Sequence, residues 1–285
     1  MIDDKVTTSQ SNHHARELMK YTGHTAMPTL YLFIFSFCAY IFFSVSGAMH
    51  WTPLWVVSIA NTILAYLLFT PLHEAGHQNI KGRNRNLSVI ENAIGWLSGL
   101  TLMAPFPMFR YLHNLHHKHT NDPKHDPDFW VASRNYVILF VKCFTIYFEY
   151  IIHYILLIPQ LSKEKKARKE LAINSLSFIL MIALIVYSGI TFGWVYPLFI
   201  VVLPAIIALA FLAFAFDWLP HHPHAVRQRY LDTRIILKPG LTTLLVSQNM
   251  HLIHHLYSGI PYYHYADAYD VLKEELIKKG ANIEG

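Results

Sequence analysis

Charge is what this sequence has least of. Asp, Glu, Lys and Arg make up 14% of its 285 residues, against roughly a quarter in a soluble domain. A surface cannot be clothed with so little charge in water, and the deficit points to a lipid bilayer. Cysteine is scarcer still. Cys38 and Cys143 each sit inside an apolar stretch, and without a C-x-x-C pair they read as packed small hydrophobes rather than a redox pair. No cysteine pattern for an iron–sulfur cluster, no haem-attachment motif and no flavin signature is present. Glycine-rich phosphate loops are missing too, which removes nucleotide chemistry of that kind. No basic–aromatic nucleic-acid motif accompanies the net charge of +5, and a basic surface facing anionic lipid accounts for it.

What the chain has instead is long apolar runs. About 20 residues cross a bilayer, and four stretches suffice: approximately 27–45, 54–72, 171–190 and 195–216. The turns at Gly47–Pro53 and Thr191–Trp194 are short and hold no Lys or Arg, so the runs pair into two hairpins. Lys81, Arg83, Arg85, the run Lys163 to Lys169, and Arg227 to Lys238 all lie at the opposite ends. Positive charge marks the cytoplasmic side, so both termini and the large polar segments are expected there.

Two further stretches are ambiguous. Leu87–Phe109 carries Glu91, Gly95, Gly99, Pro105 and Pro107, and is expected to be re-entrant or surface-embedded. Tyr136–Pro159 holds Lys142, Glu149 and His153, each costly at mid-bilayer, and is expected to be an interfacial helix. Residues 1–26 are polar, lack a signal-peptide core, and read as a cytosolic tail. With no internal repeat, 27–285 reads as one domain: an all-α integral membrane protein of four transmembrane helices, with a cytosolic helical cap from 73–170 and 217–285.

The nineteen histidines are placed tellingly. His73 and His77 stand at i and i+4. "HNLHH" sets His113, His116 and His117 at i, i+3 and i+4, and "HLIHH" repeats that spacing with His251, His254 and His255. Residues so spaced share one helix face, so each group aims imidazoles into one pocket. Imidazole is the commonest metal ligand at neutral pH, and eight convergent ones exceed what one metal accepts, implying a dimetal site. His13, His14, His24, His50 and His153 carry no such pattern and read as solvated or interfacial.

His73-Glu74-x-x-His77 also fits H-E-x-x-H, in which two histidines bind zinc and the glutamate is the base. A zinc protease needs three protein ligands and an open position, which leaves both H-x-x-H-H triplets without a task. The motif also ends a span rather than lying inside one, and no later span supplies an acid. A non-catalytic metal-binding or transport protein is a further alternative, but a transport path needs ionisable residues within the spans, and the four have none. Ligand type alone leaves zinc, copper, iron and nickel open.

These boxes resemble the membrane fatty-acid desaturase and hydroxylase superfamily, whose signature is H-x3-4-H followed by two H-x-x-H-H. Within it, "NDPKHDPD", "FDWLPHHP" and "QNMHLIHHLYSGIPYYHY" are most similar to the desaturase-like type of β-carotene hydroxylase. The resemblance covers about Leu72 to Tyr265. It implies two iron ions, O₂ as co-substrate, and oxidation of an unactivated C–H bond of a lipophilic substrate. A carotenoid ring hydroxylase is the leading expectation, and a fatty-acyl desaturase the alternative.

By resemblance the metal ligands are His73, His77, His113, His116, His117, His251, His254 and His255, with His221 as a ninth. Asp217 is expected near the second metal. Glu74 stands where relatives commonly carry Asp, as a partner of a ligand histidine. His119, His125, His222, His224 and His264 lie outside the common pattern. Electrons are expected from a separate ferredoxin or cytochrome. Trp96, Phe106, Phe109, Phe216 and Trp218 are candidates to line a substrate groove.

Overall fold

The structure, a computed structural model, describes residue 14 and residues 16–285; His13 lies outside the described residues. Helix α1 (Met27–Ala48) opens on a proline in its first turn, where a missing N–H costs nothing. It folds back on α2 (Leu54–Gly76), capped by Pro53. Helix α2 continues past Pro71 to Gly76, so His73 belongs to its last turn and not to a loop beyond it.

Helices α3 (Ser88–Thr101) and α4 (Phe106–His119) belong to a pair bent by 91°. The bend is a Schellman closure. The Ala104 N–H donates to the Gly99 carbonyl at 2.9 Å, the Met103 N–H to the Leu100 carbonyl at 3.1 Å, and Met103 takes the left-handed φ of 56°. Gly99 is needed because a Cβ there would lie 2.4 Å from the Ala104 oxygen; at Gly95 it would lie 2.6 Å from the Phe106 ring. Gly99→Ala is therefore expected to cost about 1–3 kcal/mol, as overpacking typically does. A lower detergent-solution melting temperature and loss of bound metal would register it, and an unchanged melting curve would contradict this account of the bend.

Helices α5 (Tyr136–Leu161), α6 (Lys165–Phe192) and α7 (Val195–Trp218) follow. Among the described residues, five helices are long and apolar enough to cross a membrane: α1, α2, α5, and residues Ala167–Phe192 and Val195–Trp218. The bent pair would make a sixth if it counts as one span. The four runs read from sequence all fall within these helices. The additional one is α5, and its polar residues are partnered. The Lys142 ammonium donates to the Ala132 carbonyl at 3.1 Å and lies 5.4 Å from the Trp130 ring centroid, while His153 and Glu149 stand 3.9 Å apart. The outer faces are apolar and exposed: Phe35 at 67%, Leu184 at 67% and Ile190 at 74% are side chains that a bilayer, not water, would cover.

Helix α7 contains two π-helical stretches, Leu198–Val202 and Ala213–Trp218. A π turn loosens the hydrogen-bond ladder, and the Ile200 carbonyl accepts from Asn61 Nδ2 at 2.9 Å and Tyr40 hydroxyl at 3.3 Å. Three helices are thereby pinned by polar bonds among apolar side chains (Leu64, Leu68, Ala208 and Leu212 form the adjoining core).

Beyond α7 the chain builds a second core. Strand β1 (Arg234–Ile236) pairs in parallel with β2 (Asn282–Glu284), and α8 (His251–Leu256) and α9 (Tyr265–Lys278) bury Leu252, Ile253, Tyr265 and Leu272 against Ile235. Leu18, from the polar N-terminal segment, is buried in this core. This unit presents α8 to the ends of α2 and α4.

Candidate metal centre

Four chain segments bring histidines together: the last turn of α2 with its C-cap His77, the second half of α4, the residues after α7, and α8. His73, His77, His113 and His254 form one group, and His116, His221, His251 and His255 another; within each, one nitrogen per residue lies within 4.8 Å of all the others. Nε2 separations are 3.0 Å for His73–His254, 2.8 Å for His77–His113, 3.2 Å for His116–His255 and 3.1 Å for His255–His251. His117 joins the groups, its Nε2 standing 2.8 Å from His254 and 3.1 Å from His113, with its ring 4.4 Å from that of His255. With metal–nitrogen bonds of about 2.1 Å, two ligands at a right angle stand about 3.0 Å apart. The donor set therefore suits two metal ions.

Protonation agrees. Burial first, and neighbouring imidazoles second, hold His221, His251, His254 and His255 well below the usual imidazole range. Neutral rings offer the lone pair a metal needs. Partners on the far nitrogens fix which one is free. His116 Nδ1 lies 2.9 Å from Asp126 Oδ1 and 3.2 Å from Asp128 Oδ2. His251 Nδ1 faces Gln248 Oε1 at 3.1 Å and His254 Nδ1 the Tyr265 hydroxyl at 2.9 Å. In each case Nε2 is left facing the other histidines.

All nine histidines expected as ligands thus converge, His221 among them. Glu74 is fully buried, its Oε1 3.6 Å from His73 Nδ1, longer than a hydrogen bond. Asp217 belongs to neither group and accepts from the Tyr150 hydroxyl at 3.1 Å. His119 and His125 pair with each other at 5.1 Å between ring centres, and His264 faces Asp267 at 2.7 Å. His222 packs on Trp218, and the buried His224 ring lies 6.0 Å from that of His221. Of the residues given no site, His14 pairs with Glu275 at 2.9 Å and His50 sits against Tyr196.

Sequence reasoning missed Asp126, Asp128, Tyr150, Gln248 and Tyr265. Four of these lie in the stretches "NDPKHDPD" and "QNMHLIHHLYSGIPYYHY", but no helical spacing points from them to a histidine.

A cavity lined by Phe69, Leu72, Phe109, Ile146, Leu209 and Leu212 reaches His113, and Phe109 stacks on the His113 ring at 5.4 Å. Of the five aromatics expected to line a groove, only Phe109 does so here. Phe106, Phe216 and Trp218 are core residues, and Trp96 faces a separate apolar groove against α6 and α7.

The fatty acid desaturase family model matches residues 49–284, spanning every histidine of both groups. The chain belongs to the fatty acid desaturase family. It is 24% identical over 259 residues to an sn-2 acyl-lipid omega-3 desaturase (ferredoxin) of Arabidopsis thaliana, covering 80% of this chain and 56% of that protein. Identity is 22% over 271 residues to an endoplasmic-reticulum omega-3 fatty acid desaturase of Nicotiana tabacum, with 84% and 67% covered. An sn-1 oleoyl-lipid 12-desaturase of a Picosynechococcus species is 22% identical over 250 residues, with 78% and 69% covered. The chain spans little more than half the length of the Arabidopsis relative.

Glu74 distinguishes desaturase-type from protease-type use of the first box. A general base cannot be exchanged for an amide, whereas a buried neighbour of His73 that takes no proton can, because Gln keeps its length and an acceptor oxygen. Loss of such partners typically costs about 10–100-fold. Glu74→Gln is expected to keep metal and measurable lipid oxidation, while His77→Gln keeps neither; metal content and product yield in membranes check both. A peptidase activity erased by Glu74→Gln would contradict this.

Proposed function

We propose that this desaturase-family protein is a multi-pass membrane oxidoreductase that uses two iron ions and O₂ to oxidise an unactivated C–H bond of a lipid. The paired histidine groups beside an apolar cavity carry the reading. His73, His77, His113 and His254 would hold one iron, and His116, His221, His251 and His255 the other, with His117 between them. When bound, the irons supply the redox chemistry that C–H cleavage requires and that acid–base side chains cannot. The chain's own part is to orient the imidazoles, to line the substrate path with Leu72, Leu209 and Leu212, and to exclude water.

Electrons would come from a separate ferredoxin-like or cytochrome donor, as the word "ferredoxin" in one relative's name supports. Both termini and the site are assigned to the cytosol on the Lys and Arg distribution. The interfacial placement of α5 is kept, because a further crossing between α2 and α6 would put His73 and His221 on opposite faces of the membrane, and because α5 packs beside Trp218 at its start and beside Met108 and Leu112 at its end.

Two reactions fit this site. Ring hydroxylation of a carotenoid draws support from the stretches that resemble β-carotene hydroxylase, since these contain His221, Asp126, Asp128 and the third box. Desaturation of an acyl lipid draws at least equal support from the relatives' names. Co-expression with β-carotene, and separately with defined acyl lipids, followed by mass spectrometry, decides between them. A gain of one oxygen on the carotenoid supports the first, and a loss of two hydrogens from an acyl chain the second. No product from either would contradict both.

A further inference from the structure

The apolar cavity ends on polar groups that holding two metals does not require. The Tyr150 hydroxyl stands 2.9 Å from Asp128 Oδ1 and 3.1 Å from Asp217 Oδ2, and the other oxygen of Asp128 is 3.2 Å from His116 Nδ1. The row is assembled from the turn Pro127–Val131, α5 and the π-helical end of α7. Asp128, Tyr150 and Asp217 all line the same cavity as His113, and its remaining walls are mostly aliphatic and aromatic.

Protons can be counted. A phenol carries one, an ionised carboxylate none. If Tyr150 donates to one carboxylate, its oxygen can only accept from the other, so the second carboxyl must itself be protonated to make the contact a hydrogen bond. Two carboxylates sharing one hydroxyl in an apolar site cannot both stay ionised. The Tyr150 hydroxyl stands closer to Asp128, at 2.9 Å against 3.1 Å, so it donates there and the extra proton belongs to Asp217.

We propose that Asp217, Tyr150 and Asp128 form a proton-holding row that serves oxygen reduction at the metal centre. The proposal rests on the oxygen-dependent reading above but not on which lipid is oxidised. Desaturation converts a saturated carbon–carbon bond, one O₂, two electrons and two protons into a double bond and two waters. Hydroxylation converts a C–H bond, one O₂, two electrons and two protons into an alcohol and one water. The external donor protein brings the electrons, and the protons must reach a cavity whose other walls are apolar apart from His113 and the Tyr147 hydroxyl, which is bound to the Met103 carbonyl. Tyr150 gives its hydroxyl proton to reduced oxygen in the cavity and takes the Asp217 proton in its place. Asp217 is left as a carboxylate, to be reloaded from water. Asp128 accepts from Tyr150 and so holds its hydroxyl in place.

Infrared difference spectra in H₂O and D₂O, recorded on metal-free protein in lipid nanodiscs, test the row without turnover. One carbonyl stretch of a protonated carboxylic acid seen in the parent should be missing in Asp217→Asn and move to higher frequency in Tyr150→Phe, whereas any band of the separately buried Glu74 should stay the same in both. In the iron-loaded protein, a positioned proton donor contributes about 10²–10⁴-fold. Tyr150→Phe should therefore lower product formed per O₂ consumed by about 100-fold, the electrons appearing as hydrogen peroxide while iron content stays at the parent level. An unchanged carboxylic band in both variants, or parent-like coupling in Tyr150→Phe, would overturn the row. A parent that consumes no O₂ would instead overturn the oxygenase reading, and the delivery with it, whatever the infrared bands show.

Discussion

His254→Ala should abolish turnover, and His116→Ala should do the same. His254 is completely buried, with its Nε2 within 3.0 Å of both His73 and His117. Nothing else on α8 can take its place in the first group, because His251 and His255 face the second. Removing the ring also leaves the Tyr265 hydroxyl without that partner, an uncompensated buried group worth about 1–3 kcal/mol. His116 is equally central: it is 2% exposed and tied on one side to Asp126 and on the other to His255. Membrane insertion should survive both changes, since the five candidate spans do not include either residue. His13→Ala serves as the control without effect. Product yield and protein level in isolated membranes check these outcomes, and full activity in either box variant would overturn the ligand assignment.

Asp126→Ala is expected to have the next largest effect. Its carboxylate accepts from His116 Nδ1 at 2.9 Å, from the Asn121 N–H at 2.7 Å and from the Asp128 N–H at 2.9 Å. It therefore holds a ligand ring and the turn that carries Asp128 in one place. Losing a partner of a metal-bound histidine typically costs about 10–100-fold in affinity or activity. Here two buried N–H groups lose their acceptor as well, each worth about 1–3 kcal/mol. Asp126→Asn retains one acceptor oxygen and should fall between parent and Ala. Metal retained on dialysis and product yield, measured across the three proteins, should fall in that order. Equal metal retention in all three would show that His116 needs no such support.

The convergence of the histidines proposed as metal ligands was legible because its information is local. A helix fixes i, i+3 and i+4 on one face, so HNLHH and HLIHH declare their convergence before any fold is known, and only His221 needed the resemblance. The residues that orient them were not legible for the opposite reason. Tyr150 lies 67 residues from Asp217 and 22 from Asp128, and no periodicity links such partners. Helix α5 was read as interfacial from its ionisable residues and from the parity of the basic segments, and spacing could not show the partners that the fold supplies: the Ala132 carbonyl and Trp130 ring for Lys142, and a mutual contact for Glu149 and His153. The bend before α4 was foreshadowed by Gly95, Gly99 and Pro105. Its left-handed residue, Met103, was not, since methionine has no preference for that conformation. Phe106 and Phe216 illustrate the same limit: aromatic character marks them as buried but cannot say whether a ring faces a cavity or a core.

The central claim is that these histidines hold two irons. Protein purified without added metal, analysed by elemental mass spectrometry and Mössbauer spectroscopy, tests it most directly. About two irons per chain in a nitrogen-rich environment, as the imidazole donor set requires, is the expected result. One zinc per chain with no iron would contradict it.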